Sequence, residues 1–233
     1  MNEQITLEIA VESVAAAQAA ERGGADRIEL CTSLGCGGLT PSAESMELAR
    51  SSVTKTIFAM IRPRAGDFCY LPEEFRTMQR GIELAREMKM DGVVLGVLRE
   101  DLSVDVERTK ELVNLARPMK VTFHRAFDEC RDLMRALEKV IQTGADRLLT
   151  SGGKPDVVAG AESLRELVVA AVERIVIMPG GGITPKNFGF VQQVTGAREF
   201  HSGLGQVLEY GSGEVQRFEE AVRKLALQKK WPI

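Results

Sequence analysis

The chain has 233 residues, of which 30 are Lys or Arg and 33 are Asp or Glu, giving a formal charge of −3. That balance excludes the basic footprint of a nucleic-acid binder or a polybasic membrane-surface protein. No apolar run reaches the roughly 18 residues that a membrane span needs. An apolar fraction of 44% describes a full core, and the length fits one α/β domain over residues 1–233 better than two. The start, MNEQITLEIAVES, lacks the basic-then-apolar pattern of an export signal. Four cysteines in a chain this long do not make a disulfide scaffold, so reduced thiols and a cytoplasmic location are expected.

Short apolar runs alternate along the chain with amphipathic stretches of helical length. Strands are predicted at 5–9 (ITLEI), 26–31 (DRIELC), 56–62 (TIFAMIR), 91–98 (DGVVLGVL), 120–124 (KVTFH), 146–150 (DRLLT), 174–178 (RIVIM) and 198–202 (REFHS). Helices are predicted near 11–22, 42–52, 72–88, 105–116, 132–143, 159–172 and 185–195, with a last one at 213–229. Thr40-Pro41 and Thr184-Pro185 each place a capping hydroxyl before a proline at the expected first helical position. Eight such units make a TIM-type (β/α)8 barrel the expected fold, with a doubly wound open sheet as the alternative. Internal repetition favours the barrel. GADRIELCTS (24–33) recurs as GADRLLTSGG (144–153), with GAREFHSG (196–203) as a third copy and MDGVVLG (90–96) as a weaker fourth. The copies fall on every second strand, a period that an open sheet has no reason to show.

Side chains alternate between the two faces of a strand. In the predicted strands one face is apolar (Leu7 and Ile9, Ile28 and Leu30, Val121 and Phe123, Phe200) and suits contact with outer helices. The other face then points into the barrel and carries Glu8, Glu29, Cys31, Thr122, His124, Glu199 and His201. Arg62 and Arg64 share one parity, and Arg125 follows His124 where the strand ends. Unpaired buried charges are costly, so these groups either pair with one another or sit at the functional end, which in barrels is the C-terminal mouth. Glu8 and Glu29 are expected to pair with Arg27, Arg62 or Arg64. The chain has two histidines, and both stand at strand ends. Glu8, Glu29, His124 and His201 are therefore the candidate acid–base residues.

PGGGITP (179–185) lets the backbone at Gly180, Gly181 and Gly182 approach an anion closely. With Arg62, Arg64 and Arg125 it suggests a site for a small phosphate- or carboxylate-bearing ligand. Cys31, Cys36 and Cys69 lie in or beside mouth loops and are the candidate metal ligands, although their spacing alone speaks for inert thiols.

GGADRIELC…GGLTPS, IRPRAGDFCY, VTFHRAFDEC, GADRLLTSG and IVIMPGGGIT…EFHS together resemble the CutC family of copper homeostasis proteins, over about residues 5 to 203. The resemblance implies a TIM-type barrel, a cytoplasmic homo-oligomer and a Cu(I)-binding role. It implies that Cys31, His124, Arg125, Asp128 and His201 fall on family positions. Some relatives carry a cysteine at the end of the first strand where this chain has Ala10, which removes one partner for Cys31. The stretch after His201, SGLGQVLEYGSGEV, is shorter than the family's loop there. Two functions follow: copper binding through Cys31 with Cys36 or Cys69, or a barrel enzyme acting on a small anionic substrate. The inward set is Arg, His and Glu rather than thiols, and that favours the enzyme.

Overall fold

The computed structural model describes residues 5–204 and 212–229. Its strands are β1 (Thr6–Val11), β2 (Arg27–Leu30), β3 (Thr56–Met60), β4 (Gly92–Leu95), β5 (Lys120–Phe123), β6 (Arg147–Thr150), β7 (Val176–Pro179) and β8 (Glu199–Ser202). The helices between and after them are α1 (Val14–Gly23), α2 (Ala43–Ser52), α3 (Pro72–Glu87), α4 (Val106–Ala116), α5 (Leu133–Thr143), α6 (Ala161–Ala171), α7 (Phe188–Thr195) and α8 (Ser212–Ala226). Every ladder is parallel, in the order β7-β6-β5-β4-β3-β2-β1-β8, and β7 lies against β8 at the seam. This is a TIM-type barrel with its helices outside.

The alternation of faces decides where the core sits. Leu7, Ile9, Val11, Ile28, Leu30, Ile57, Val93, Val121, Phe123, Leu148 and Phe200 form one continuous layer with the helices. Cys31, Phe58, Met60 and Val94 form a separate cluster inside the barrel. The repeated GAD motif has a mechanical reason. Gly24 and Gly144 end α1 and α5 in the left-handed conformation that glycine tolerates best. The aspartate two residues on accepts a backbone N–H from the preceding strand: Asp26 from Leu7 at 2.8 Å and Asp146 from Val121 at 2.9 Å. Asp91, in the weaker copy, takes Ile57 N–H at 2.8 Å. In the third copy Gly196 caps α7, but Arg198 stands in the aspartate's place.

Two expected helix starts are displaced. Ser42, not Thr40, caps α2, and the Thr40 hydroxyl instead exchanges hydrogen bonds with the Arg62 backbone. Beyond the glycine loop, α7 begins only at Phe188. Asn187 folds back to accept Thr184 N–H and donate to the Gly182 carbonyl, so a tight turn separates the loop from the helix. Residues 205–211 of the segment after His201, expected from the resemblance to be short, lie outside the described residues.

Candidate functional site

The C-terminal ends of the strands enclose a cavity of about 710 Å³ whose walls include Glu29, Arg62, His124, Arg125, Gly181 and His201. Beneath it the barrel is closed by charge and one ring. Arg27 and Arg147 sit at 5.1 and 5.2 Å from the centroid of Phe58, and both donate to Glu199, at 2.7 and 2.8 Å. Arg27 also pairs with the fully buried Glu8. Arg62 and Arg64 therefore take no part in holding Glu8. Arg147 is absent from the candidates because DRLLT shows no acid or imidazole on its inward face.

Above this floor stands a buried acid–base group. His201 Nδ1 lies 2.8 Å from Glu8 Oε1, and donor atoms of Glu8, Glu29 and His201 all fall within 4.8 Å of one another. The three carboxyl and imidazole groups titrate very differently. Burial penalises the charge on Glu8, but Arg27 and His201 outweigh it and bring its pKa down to about 2. Glu29 gains no hydrogen bond from either: burial, with Glu8 nearby, outweighs the opposing pull of His201 and pushes it up to about 7, and its Oε2 meets no donor. Burial opposes charge on His201 too, yet Glu29 and Glu8 together hold its pKa above the ordinary value. The predicted acids and one predicted histidine thus meet at one point.

His124 does something else. Its Nδ1 accepts Ala126 N–H at 3.2 Å and opens the short 3-10 turn Arg125–Glu129. Phe68 packs on the ring with centroids 4.9 Å apart. Burial, helped by the Arg62 charge, lowers the pKa to about 3, so the ring is neutral.

The three predicted arginines separate. Arg62 is buried and lines the cavity, with its guanidinium over the Phe68 ring, and donates to the carbonyls of Cys36, Gly38 and Gly66. No carboxylate pairs with it among the described residues. Arg125 is clamped by Asp128 through Nε and by Ser151 through Nη2. Asp128 is itself held by the backbone N–H groups of Ser151 and Gly153. Arg64 does not reach the cavity. Pro63 turns the chain out of strand geometry, and Glu74 at 2.6 Å and Asp67 at 2.9 Å then take the guanidinium on the rim.

The glycines separate as well. Gly180 gives its N–H to Thr150, and a methyl on it would sit 2.3 Å from Leu149, so its smallness serves packing. Gly181 and Gly182 line the cavity at φ of +106° and +84°. Neither N–H meets a protein acceptor among the described residues. A methyl on Gly181 would stand 3.0 Å from Arg125 Cζ, so loop and guanidinium face the same spot.

The sulfurs are not gathered. Cys31 is buried, its thiol directed at the Val11 carbonyl 3.6 Å away, and burial drives its pKa upward. Cys36 is exposed and donates to the Ser33 carbonyl, while Cys69 lies on a different, smaller cavity. Among the described residues the one cluster of three metal-binding side chains holds oxygen and imidazole, and both Glu8 oxygens are already engaged. Cu(I) is selected by soft thiolate or thioether ligands, so this oxygen–imidazole cluster does not fit it.

A family model described as CutC family matches residues 5–206. This chain belongs to the CutC family. The human relative named copper homeostasis protein cutC homolog is 46% identical over 205 residues, covering 88% of this chain and 75% of its own. A CutC family protein from Chromobacterium violaceum is 45% identical, covering 95% and 92%. The crystal structure of a CutC protein from Streptococcus agalactiae superposes with a TM-score of 0.81 at 30% identity, over 85% of this chain and 98% of that one. Asp128, Ser151 and Phe68 complete the CutC mouth here. Of these only Asp128 carried a signal in the sequence, three residues after Arg125 in HRAFD.

Proposed function

We propose that this protein is a barrel enzyme that binds a small anionic substrate at the strand C-terminal mouth and moves protons on it with Glu29 and the Glu8–His201 pair. One observation carries the reading: a single cavity holds a buried guanidinium without a carboxylate, Arg62, and a buried carboxyl oxygen without a donor, that of Glu29. Isolated buried charge is unfavourable, so a ligand that is anionic at one end and exchanges protons at another satisfies both groups. A carboxyl near pKa 7 is suited to taking and returning protons at neutral pH. Calorimetric titration with glycerol 1-phosphate tests the anion site. Wild-type protein is expected to bind, and Arg125→Ala to weaken binding about tenfold, the loss typical of one charge-assisted contact. No heat in the wild type overturns the reading.

Copper handling is the second reading, supported by the human relative's name and by the exposed Cys36 on the cavity wall. Competition with a Cu(I) chelator tests it. Cys31→Ser is expected to leave any Cu(I) affinity unchanged, because that thiol is buried and hydrogen-bonded. Loss of binding in that variant would restore the thiolate site. The cytoplasmic homo-oligomer implied by the resemblance belongs with this proposal, and light scattering on the purified chain checks the oligomer.

A further inference from the structure

The unused feature of the mouth is the far side of His124. A backbone N–H only donates, so the bond from Ala126 N–H requires a lone pair on Nδ1. In the neutral ring the proton is then on Nε2. An imidazolium would set two N–H groups against each other. The ring packs closely over Gly96, where a methyl would lie 2.7 Å from both Cε1 and Nδ1, and against Phe68. His124 is 3% exposed and lines the cavity, yet Nε2 has no partner. The fold thus fixes a neutral N–H donor at the mouth with nothing to accept it. Arg62 is the charged group facing this ring, and its guanidinium shares Phe68 with it.

A buried donor without an acceptor is unfavourable, so the acceptor comes from the ligand. A neutral imidazole N–H beside an unpaired guanidinium stabilises an oxygen that gains negative charge during reaction. On another wall, Glu29 presents a carboxyl oxygen that no protein group donates to. Arg125 and the Gly181–Gly182 backbone line the same cavity and come close together at Gly181, a place that suits a compact anion. An electrophile, a base and an anion seat in one cavity define a class of substrate.

We propose that the substrate is a carbonyl compound with a phosphate tail, and that the site interconverts it with its enol, Glu29 taking the proton and His124 Nε2–H holding the oxyanion. This rests on the proposed anion-binding enzyme and names its reaction. In the step, Glu29 carboxylate removes a proton from the carbon beside the carbonyl. The C–H electron pair becomes the new C=C bond, and the carbonyl π pair moves to oxygen, where His124 donates to it. Where the deprotonated carbon carries a hydroxyl, return of the proton from Glu29 to the former carbonyl carbon, with transfer of that hydroxyl's proton to the first oxygen, gives the isomeric carbonyl; without one, the proton returns to the carbon it left. No oxidant or leaving group is needed.

Three measurements test this. Nitrogen-15 spectra of the wild type at pH 5 are expected to show His124 neutral, with a bare Nδ1 and a protonated Nε2. A cationic ring or the other tautomer overturns the assignment. Calorimetry compares the hydroxamate of phosphoglycolate, which mimics the enediolate, with glycerol 1-phosphate, which has no carbonyl. The hydroxamate is expected to bind at least tenfold tighter, and His124→Ala to erase that preference. Equal binding of the two overturns the carbonyl proposal while the anion site stands, and binding of neither overturns both. Dihydroxyacetone phosphate in D2O is expected to lose carbon-bound protons with the wild type, and at least a hundredfold more slowly with Glu29→Gln. No exchange with the wild type removes the enolisation step.

Discussion

Two glutamates side by side show how far environment decides the behaviour of a residue. Glu8 and Glu29 are equally buried, yet Arg27 and His201 hold one ionised while the other keeps its proton to about pH 7. The consequences for stability have opposite sign. Unfolded, both carboxyls titrate near their ordinary value. Between roughly pH 4.5 and 7 the folded chain holds a proton on Glu29 that the unfolded chain has lost, so this residue makes stability fall as pH rises. Glu8 contributes stability that is fully present above about pH 4.5 and is lost as pH drops toward 2. Glu29→Gln is therefore expected to raise stability at pH 8, by about 1–3 kcal/mol, with little effect at pH 5; urea unfolding at the two pH values measures it. An unchanged difference would place the raised carboxyl elsewhere. The inward position of both acids and both histidines was legible from strand parity. Their division of labour was not, because it depends on which neighbours lie across the barrel. Arg64 shows the same limit, since one proline ended the parity on which its placement relied.

At the scale of elements, turns account for most of the difference between sequence and structure. Strand and helix positions were readable within a few residues from periodicity, and the GAD motif marked both a helix end and a strand clamp. The Thr-Pro signals failed locally. Ser42 was better placed to cap α2 while the threonine at 40 serves the neighbouring strand, and at the other site Asn187 accepts Thr184 N–H and closes a turn ahead of α7. The glycine loop carries a sharper expectation. Gly181 combines a left-handed φ with close approach to Arg125. Gly181→Ala is expected to cost about 1–2 kcal/mol of stability and to weaken glycerol 1-phosphate binding by displacing the guanidinium. Thermal unfolding and calorimetry on the same sample separate the two effects. Gly180→Ala, which meets Leu149 and His201 rather than Arg125, is expected to cost stability and to disturb anion binding less than Gly181→Ala does.

For the whole molecule, the two halves related by the GADR repeat converge on a shared floor. Arg27 from one copy and Arg147 from the other grip one ring, Phe58, and one acid, Glu199. That arrangement was half legible: the repeat was visible, but not that its arginines would meet. Removing Glu199 leaves both guanidiniums short of a partner in the interior. Glu199→Ala is expected to destabilise the chain by about 3–5 kcal/mol, and Glu138→Ala, whose pair with Arg174 is exposed, to leave stability nearly unchanged. Denaturant melts compare them directly.

The floor also bears on where a proton can go. Two guanidiniums beside one phenyl ring lie beneath Glu29, and the cavity that Glu29 lines opens upward at the mouth, which gives it a route to solvent. A ligand seated there would act as a stopper. A proton lifted from such a ligand would reach bulk water through that same mouth as the ligand leaves, so deuterium from D2O would enter the compound over successive visits.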